Sequence, residues 1–366
     1  MNKYLNRAHE QIANLTPYQP GLSMQSLKER GQDSIIKLAS NENPLGMSPK
    51  AKQAVLSELD NSYLYPEHIK RLIKAIAVKH NVLESQCILG CGSENIIAML
   101  LQTFNRPENH CLIPQYGFSA YRINAQALNV NHKIIACPDL KLTVEAVLQQ
   151  INEQTAMVFI DNPSNPLGFH FSHQQIVQLL EQLPSETLLV LDEAYCEYAA
   201  HLSDDYPDSL ALQQHYPNLI CLRTFSKVYG LAGLRIGYGL FSTEVADLVE
   251  RVRFPFNVSS LAIAAAEAAL DDADFIQAAL AVNQQGMHAY QNCFDALGLA
   301  HLPSVTNFIT VDLRQDSDDF IQSMLNQGII FRSLKPYQLP NHVRISIGTD
   351  TQNQHAIQAI KNYFQS

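Results

Sequence analysis

The sequence predicts an α/β protein: a three-layer, mostly parallel central sheet with a smaller α+β domain made from both chain ends. Short apolar runs alternate with helix-like stretches over much of the 366-residue chain, a pattern typical of buried parallel strands with helices on both faces. After about Gly239, strands and helices alternate at shorter range. We therefore expect an N-terminal arm with part of the small domain at residues 1–45, a large domain at 46–260, and a long bridging helix with the rest of the small domain at 261–366.

The strands and helices of the large domain follow one another in a regular order. Each apolar run is short and suits a buried strand. The predicted strands are Cys87–Leu89, Cys111–Ile113, Lys133–Ala136, Met157–Ile160, Leu188–Leu191 and Leu219–Leu222. The helix-like stretches between them are Glu94–Phe104, Val144–Ile151 and His173–Leu183.

The last third of the chain predicts longer helices and a second set of strands. The predicted helices are Thr243–Phe254, Leu261–Leu297, Asp319–Gln327 and Gln352–Tyr363. The predicted strands are Phe308–Asp312, Ile329–Phe331 and Val343–Ile347. The second helix is long enough to bridge two lobes.

Composition disfavours several classes of function. The chain has 25 Lys and Arg against 35 Asp and Glu, a net charge of -10, which disfavours bulk attraction to nucleic acid or to an anionic membrane. No window approaches the ~20 apolar residues of a membrane span, and the N-terminus lacks the apolar core of a signal peptide. The seven cysteines form no CxxC pair, as in proteins of a reducing compartment. We expect a cytoplasmic protein that binds neither nucleic acid nor membranes.

A lysine beside a hydroxyl and upstream of an arginine follows the last predicted strand of the sheet. The segment reads Thr224-Phe225-Ser226-Lys227, and Arg235 lies eight residues further on. An aldehyde cofactor that carries a phosphate needs this set, because the amine binds the aldehyde while serine and arginine hold the phosphate. On its own, the segment fits an ordinary surface lysine better.

An aspartate ends the preceding apolar strand. Asp192 follows Leu188–Leu191, and Tyr195 comes three residues later. Open α/β folds bind ligands at the carboxyl edge of the sheet, and a pyridine cofactor needs a carboxylate there to keep its ring nitrogen protonated. A helix-capping or Walker B aspartate is the alternative. The chain lacks a GxxxxGK[ST] segment, which excludes a P-loop enzyme.

Three further turns that follow predicted strands add polar and aromatic groups at this edge. Asn165 lies in an Asn-Pro turn, where its amide could face a ring oxygen. Gly92, Ser93 and Glu94 open a helix whose free N–H groups suit a phosphate, and Tyr116 could stack on a flat ring. Each has a plain alternative, either a strand-ending turn or a packed loop aromatic. A dinucleotide-binding dehydrogenase is disfavoured because the third glycine of its fingerprint is missing.

In this order, the motifs resemble those of the fold-type I pyridoxal-phosphate enzymes, specifically the class I and II aminotransferases. The resemblance runs from about Lys37 to the C-terminus, and it implies pyridoxal 5′-phosphate as the cofactor; we expect no metal. It implies catalytic roles for Lys227, which would bind the cofactor, for Asp192 at the ring nitrogen and for Tyr195 at the ring hydroxyl. The cofactor-binding residues that it implies are Gly92, Ser93, Glu94, Tyr116, Asn165, Asp192, Tyr195, Ser226, Lys227 and Arg235.

The two ends of the chain carry a narrower resemblance, to the histidinol-phosphate aminotransferases. The segments concerned are 15–21, 38–46, 63–66 and 331–348. They imply amino transfer between L-histidinol phosphate and 2-oxoglutarate, with the substrate bound by Tyr18, Asn43, Arg332 and Arg344. They also imply a homodimer in which Tyr65 reaches the cofactor phosphate of the neighbouring active site.

Four positions depart from that family's pattern. Glu94 stands where Asp is common, and Leu45, Leu167 and Gln338 stand where Tyr, Thr and Gly are common. Leu45 and Gln338 lie toward the substrate end, so an aromatic amino acid aminotransferase stays an alternative and a phosphothreonine decarboxylase a more distant one. A non-catalytic ligand-binding module of the same fold is a third alternative. It predicts loss of the lysine or the aspartate, and both are present.

Overall fold

We describe the protein from a computed structural model, which covers residues 4–15, 24–28 and 34–365. The strands are β1 (Ile36–Lys37), β2 (Cys87–Gly90), β3 (His110–Pro114), β4 (His132–Ile135), β5 (Thr155–Asp161), β6 (Leu188–Asp192), β7 (Leu219–Thr224), β8 (Gly237–Leu240), β9 (Phe308–Asp312), β10 (Ile329–Ile330), β11 (Arg332–Ser333) and β12 (His342–Ser346). The helices are α1 (Glu10–Ala13), α2 (Met24–Lys28), α3 (Pro49–Glu58), α4 (Ile69–His80), α5 (Ser93–Phe104), α6 (Ser119–Ala127), α7 (Val144–Leu148), α8 (His173–Gln182), α9 (Cys196–Leu202), α10 (Ser209–Gln213), α11 (Thr243–Glu250), α12 (Ser260–Leu270), α13 (Ala273–Leu297), α14 (Ser317–Asn326) and α15 (Asp350–Gln365). None of the helices in these ranges is long and apolar enough to cross a lipid bilayer.

The large sheet has seven strands in the order β2-β8-β7-β6-β5-β3-β4. Strands β4, β3, β5, β6 and β7 are parallel neighbours, and β8 is antiparallel to both β7 and β2. All six strands predicted for the large domain are present. Strand β8 was not predicted, because its two glycines weaken the strand pattern. One of them, Gly237, is required, since an added Cβ would lie 2.7 Å from the backbone nitrogen of Ser93.

Successive residues of the central strands pack into two separate cores, one on each face of the sheet. In β6, Leu189 and Leu191 join one core, whereas Leu188 and Val190 join the other. Helices α4, α8 and α12 cover the first face, and α5, α6 and α11 cover the second. Each strand is therefore buried on both sides, as parallel sheets require. The prediction of a three-layer α/β architecture is confirmed.

Two helices occupy the stretch predicted as one helix at Leu261–Leu297. Helix α12 ends at Leu270 and α13 begins at Ala273, with Asp271 and Asp272 between them. Aspartate favours helix ends over helix interiors, because its short carboxylate competes for backbone N–H groups. Helix α13 spans the two lobes: its first half packs on the core of the large domain and its second half on the core of the small one.

Both halves of the chain contribute to the smaller unit. Its antiparallel sheet has the order β11-β12-β9, and α13, α14 and α15 enclose its core. Strand β1 pairs in parallel with β10, so Ile36 lies opposite Ile329. The segment that follows β1 reaches the carboxyl edge of the large sheet. The limits drawn at 1–45, 46–260 and 261–366 stay a prediction.

Candidate active site

A cavity of about 240 Å³ lies at the carboxyl edge of the seven-stranded sheet. Parallel neighbours β5, β6 and β7 end there, so Asp161 and Asp192 are register partners at the last residues of β5 and β6. Lys227 lies in the loop that follows β7. The predicted cofactor residues that line the cavity are Gly92, Ser93, Glu94, Asn165, Asp192, Tyr195, Ser226, Lys227 and Arg235.

Asp192 brings an unpartnered carboxylate oxygen to the site. The Tyr121 hydroxyl donates to its Oδ2 at 3.1 Å, whereas the buried Oδ1 has no hydrogen-bond partner within the described part of the chain. Burial raises the pKa of Asp192 to about 6, and the hydrogen bond from Tyr121 opposes that rise. A buried acceptor without a partner costs ~1–3 kcal/mol. The site therefore favours a ligand with a protonated nitrogen at this point.

Lys227 brings an amine into the same cavity. Burial lowers its pKa to about 8, and the Arg344 guanidinium adds to the lowering. Its Nζ lies 5.3 Å from the centre of the Tyr195 ring. Asn43 fixes the loop, since its Nδ2 donates to the Val228 carbonyl at 2.7 Å. A lysine with a lowered pKa has a larger neutral fraction at neutral pH, and it is then a better nucleophile and base.

An anion cradle lies at one end of the cavity. Helix α5 begins at Ser93, and the N–H groups of a first helical turn have no helical partners. Gly92 has a φ of +79°, and an added Cβ would lie 2.8 Å from Nη2 of Arg235. The Arg235 Nη1 donates to Ser226 Oγ at 3.4 Å. A helix N-terminus, a guanidinium and a hydroxyl together make a donor set that suits a phosphate.

The two side chains predicted to contact a ring hydroxyl are themselves held by neighbours. Asn41 Nδ2 donates to the Tyr195 hydroxyl at 2.8 Å, so the tyrosine proton is available to a ligand. Arg344 donates from Nη1 to Asn165 Oδ1 and from Nη2 to the Ala39 carbonyl. Because Asn165 Oδ1 accepts from Arg344, its NH₂ group is left as the donor for a ligand oxygen.

Comparison with known proteins identifies the family to which this cavity and its residues belong. Residues 33–360 match the family model described as aminotransferase class I and II. This chain belongs to the class I and II aminotransferases. The enzyme is 42% identical over 356 residues to histidinol-phosphate aminotransferase 1 of Nitrosococcus oceani, across 97% of this chain and 96% of the relative. It is 41% identical over 360 residues to histidinol-phosphate aminotransferase 2 of Pasteurella multocida, across 98% of both chains.

A solved structure adds the fold and the cofactor. The histidinol-phosphate aminotransferase of Sinorhizobium meliloti, in complex with pyridoxal 5′-phosphate, has a TM-score of 0.86 and 26% identity over 98% of each chain. The aminotransferase thus has the fold-type I architecture, and pyridoxal 5′-phosphate is its cofactor. The residues present fit this group. Asp192 Oδ1 suits a protonated ring nitrogen, Gly92 and Arg235 suit the phosphate, and the Lys227 amine suits the aldehyde.

Some predicted site residues do not line the cavity. They are Asn43, Tyr65, Tyr116, Arg332 and Arg344. Arg344 is one contact away, through Asn165. Asn43 binds the backbone of Val228 and Leu45, so it holds the loop of the aminotransferase, and its role in binding the substrate stays a prediction. Tyr116 packs beside the apolar cluster of Leu167, Leu334 and Leu339. Its stacking role stays a prediction, as do the roles of Tyr65 and Arg332, and Tyr18 lies outside the described residues.

Sequence reasoning missed several residues of the site. Ser40, Glu42, Phe118 and Asp161 line the cavity, and Tyr121 binds Asp192. One signal was available: Asp161 ends an apolar strand just as Asp192 does. Ser40 and Glu42 lie in a segment of the resemblance, but no local pattern shows that they face the cofactor domain of the aminotransferase.

Proposed function

We propose that this aminotransferase transfers the amino group of L-histidinol phosphate to 2-oxoglutarate. The relatives that match nearly the whole chain at about 40% identity carry that activity in their names. The observation that carries the proposal is a pair of arginines on adjacent strands, one of which contacts the cavity wall. Arg332 and Arg344 are register partners across β11 and β12, so their side chains leave the same face of the sheet. Arg344 also contacts the cavity wall at Asn165.

One set of cations can serve both substrates. Each half of the reaction brings a different anion to the pocket, first a phosphate monoester and then a dicarboxylate. A guanidinium fork binds a phosphate and a carboxylate equally well in geometric terms. Arg344 is buried and Arg332 half-buried, so both can form charge-assisted hydrogen bonds in a partly desolvated setting.

The residues around the cofactor have separate tasks. Pyridoxal phosphate, when bound, supplies an electron sink for the negative charge that develops at the substrate Cα. Lys227, with its lowered pKa, takes the proton from Cα and returns it as general acid and base. Asp192 keeps a proton on the ring nitrogen, and Tyr195 and Asn165 orient the ring through its hydroxyl. Ser93, Ser226 and Arg235, which belong to the anion cradle, hold the phosphate.

Half-reaction spectroscopy tests the substrate. We expect L-histidinol phosphate and L-glutamate each to convert the bound cofactor from its aldehyde to its amine form in a single turnover. Phenylalanine and tyrosine should react at least ~10-fold more slowly, since they lack the phosphate that the arginines bind. Failure of histidinol phosphate alongside fast reaction of phenylalanine would make the enzyme an aromatic amino acid aminotransferase. Failure of all four amines, glutamate included, contradicts aminotransferase activity altogether.

We also propose a homodimer with shared active sites. Tyr65 and Phe256 stack with ring centres 4.5 Å apart, yet they are 75% and 54% exposed. Tyr63 and Phe254 add to this exposed aromatic surface. Aromatic surface of this kind is typical of an interface, and it supports a second copy of the chain on this face.

Mixed dimers test the shared site. In a dimer of one Lys227→Ala chain and one Tyr65→Ala chain, a trans contribution leaves one site with both residues intact. That site should bind pyridoxal phosphate as tightly as wild type, whereas pure Tyr65→Ala dimers bind it more weakly. If Tyr65 acts within its own chain, no site of the mixed dimer is intact and tight binding is lost. A chain that stays monomeric in sedimentation contradicts the proposal directly.

A cytoplasmic setting is part of the same proposal. Six of the seven cysteines are buried, and all seven are free thiols. Free thiols persist in reducing compartments. Detection of the native enzyme outside the cytoplasmic fraction would overturn this assignment.

A further inference from the structure

A second buried carboxyl group lies beside Asp192 in the cofactor cavity. Asp161 ends β5 as Asp192 ends β6, and the two are register partners on adjacent parallel strands. Their side chains therefore leave the same face of the sheet. Both residues are buried, and both line the cavity. Asp192 has a task in the proposed reaction, whereas Asp161 has none.

Asp161 anchors the turn that carries Asn165. The backbone N–H of Asn165 donates to Asp161 Oδ2 at 2.6 Å, and the backbone N–H of Phe118 also faces this carboxyl group. Asn165 and Phe118 both line the cavity. One side chain at the end of β5 thus positions two cavity residues that come from different loops.

Two adjacent buried carboxylates cannot both carry a charge cheaply. Burial raises the pKa of Asp161 to about 8 against the lowering effect of the Asn165 hydrogen bond, and the neighbouring Asp192 charge contributes to the rise. Asp192 has the lower pKa of the pair, about 6, since Tyr121 and the Lys227 charge favour its anion. Of the two carboxyl groups, Asp161 is therefore the one that favours the protonated form at neutral pH.

The other groups around Asp161 do not compete for this proton. The titratable groups that interact electrostatically with Asp161 are Asp192, Tyr121, Cys137, Tyr195 and Tyr337. Burial raises the pKa of the three tyrosines and of the cysteine, so they stay uncharged at neutral pH. The nearby cations, Lys227 and Arg344, face Asp192 and Asn165.

We propose that Asp161 is a positioning residue of the cofactor site: uncharged, it ties Asn165 to the sheet edge and leaves Asp192 as the single anion available to the ring nitrogen. The proposal deepens the proposed function, since it concerns the same site. Its principal test uses neither substrate nor cofactor, so its failure is distinguishable from failure of the proposed reaction.

The test compares thermal unfolding of the cofactor-free full chain with that of Asp161→Asn between pH 5 and pH 8. In wild type, the folded state holds a proton that the unfolded state has lost above its ordinary pKa. Wild-type stability therefore falls as pH rises toward 8, and the asparagine variant lacks this loss. We expect the Tm of Asp161→Asn relative to wild type to rise by at least ~3 °C across this range. A pH-independent difference overturns the proposal. Asp204→Asn, at an exposed aspartate, is the matched control and should show no such trend.

Titration with pyridoxal phosphate tests the anchoring. Asparagine keeps a carbonyl oxygen for the Asn165 N–H, so the Kd of Asp161→Asn should stay within ~3-fold of wild type. Asp161→Ala removes the acceptor, and its Kd should rise by ~10-fold. Equal affinities of the two variants contradict the anchoring role. If neither variant folds, the infrared band of a protonated carboxyl group decides the charge: the wild-type chain should still show it at pH 7, above the pKa of Asp192, and lose it through about pH 8, and its absence at pH 7 overturns the proposal.

Discussion

The seven-stranded sheet and the three-stranded sheet contribute to the site in different ways. The large, mostly parallel sheet supplies Asp192 at the end of one strand and Lys227 just after the end of the next. Burial restricts the conformations of both side chains, and the hydrogen bond from Tyr121 restricts Asp192 further. The small antiparallel sheet supplies Arg332 and Arg344 from paired strands. Groups that act on the cofactor are thus fixed by the framework of one sheet. Groups expected to choose the substrate arrive on a separate unit, and Arg344 connects that unit to the cofactor site through its hydrogen bond to Asn165.

Among changes to the groups that act on the cofactor, Lys227→Ala should cause the largest loss of activity. We expect turnover to fall by more than ~10⁴-fold, because no other amine within the described cavity lining can bind the aldehyde or move the Cα proton. Absorbance of the purified protein should also lose the signal of covalently held cofactor. Lys52→Ala, at an exposed lysine of α3, is the control and should keep full activity. Retained turnover in Lys227→Ala would remove the assignment of this lysine.

Asp192→Asn should have the next largest effect. A neutral amide does not hold a proton on the ring nitrogen, and loss of a buried ion pair costs ~3–5 kcal/mol. We expect kcat to fall by ~10²–10³-fold while the enzyme still binds the cofactor through Lys227. Stopped-flow measurement of the half-reaction gives the comparison. An effect of Asp161→Asn as large as that of Asp192→Asn would show that the two carboxyl groups share the role.

Arginine substitutions test the substrate side. Arg344→Ala should lower kcat/KM for both substrates by ~10²-fold, because it removes a buried guanidinium that also holds Asn165. Arg332→Ala removes a half-buried charge and should cost ~10-fold or less, mainly in KM. Steady-state kinetics with varied concentrations of the amine and the keto acid distinguish the effects of the two substitutions. If the two variants lose as much kcat/KM with an amine that has neither a phosphate nor a second carboxylate, the arginines do not act as an anion clamp.

Asn41→Asp is the mildest probe. The Asn41 amide donates to the Tyr195 hydroxyl, whereas an aspartate there accepts the tyrosine proton and withdraws it from the cofactor. Reversal of one hydrogen bond corresponds to about 1 kcal/mol, or roughly fivefold in kcat. Thermal unfolding of the variant separates this from a loss of stability. A kcat equal to that of wild type would mean that Tyr195 does not donate to the ring.

The sequence was most informative where function coincides with a strand end. Asp192, Asn165 and Lys227 follow apolar runs, and parallel strands bring such positions to one edge regardless of the intervening helices. Alternation of strands and helices does not predict the whole strand order, because β8 is inserted between β2 and β7 and is antiparallel to both. Gly237 fits there because the neighbouring backbone leaves no room for a side chain, and a Cβ added at Gly239 would lie 2.5 Å from the Phe241 ring.

Contacts across long separations could not be predicted. Asn41 reaches Tyr195 across 154 residues, and Arg344 reaches Asn165 across 179. Neither pair has a local signature, since each depends on how the small unit sits against the large one. The break between α12 and α13 is local, by contrast, and the two consecutive aspartates there could have indicated it.

The pairing of β1 with β10 has a consequence for how the enzyme is made. Ile36 and Ile329 lie about 290 residues apart in the chain, and the segment just after β1 supplies Ser40 and Glu42 to the cavity. During synthesis, the seven-stranded sheet can form while the C-terminal strands are still in the ribosome, but the N-terminal wall of the pocket then has no strand to pair with. Closure of the pocket by Ser40 and Glu42 therefore has to wait until β10 has been synthesised.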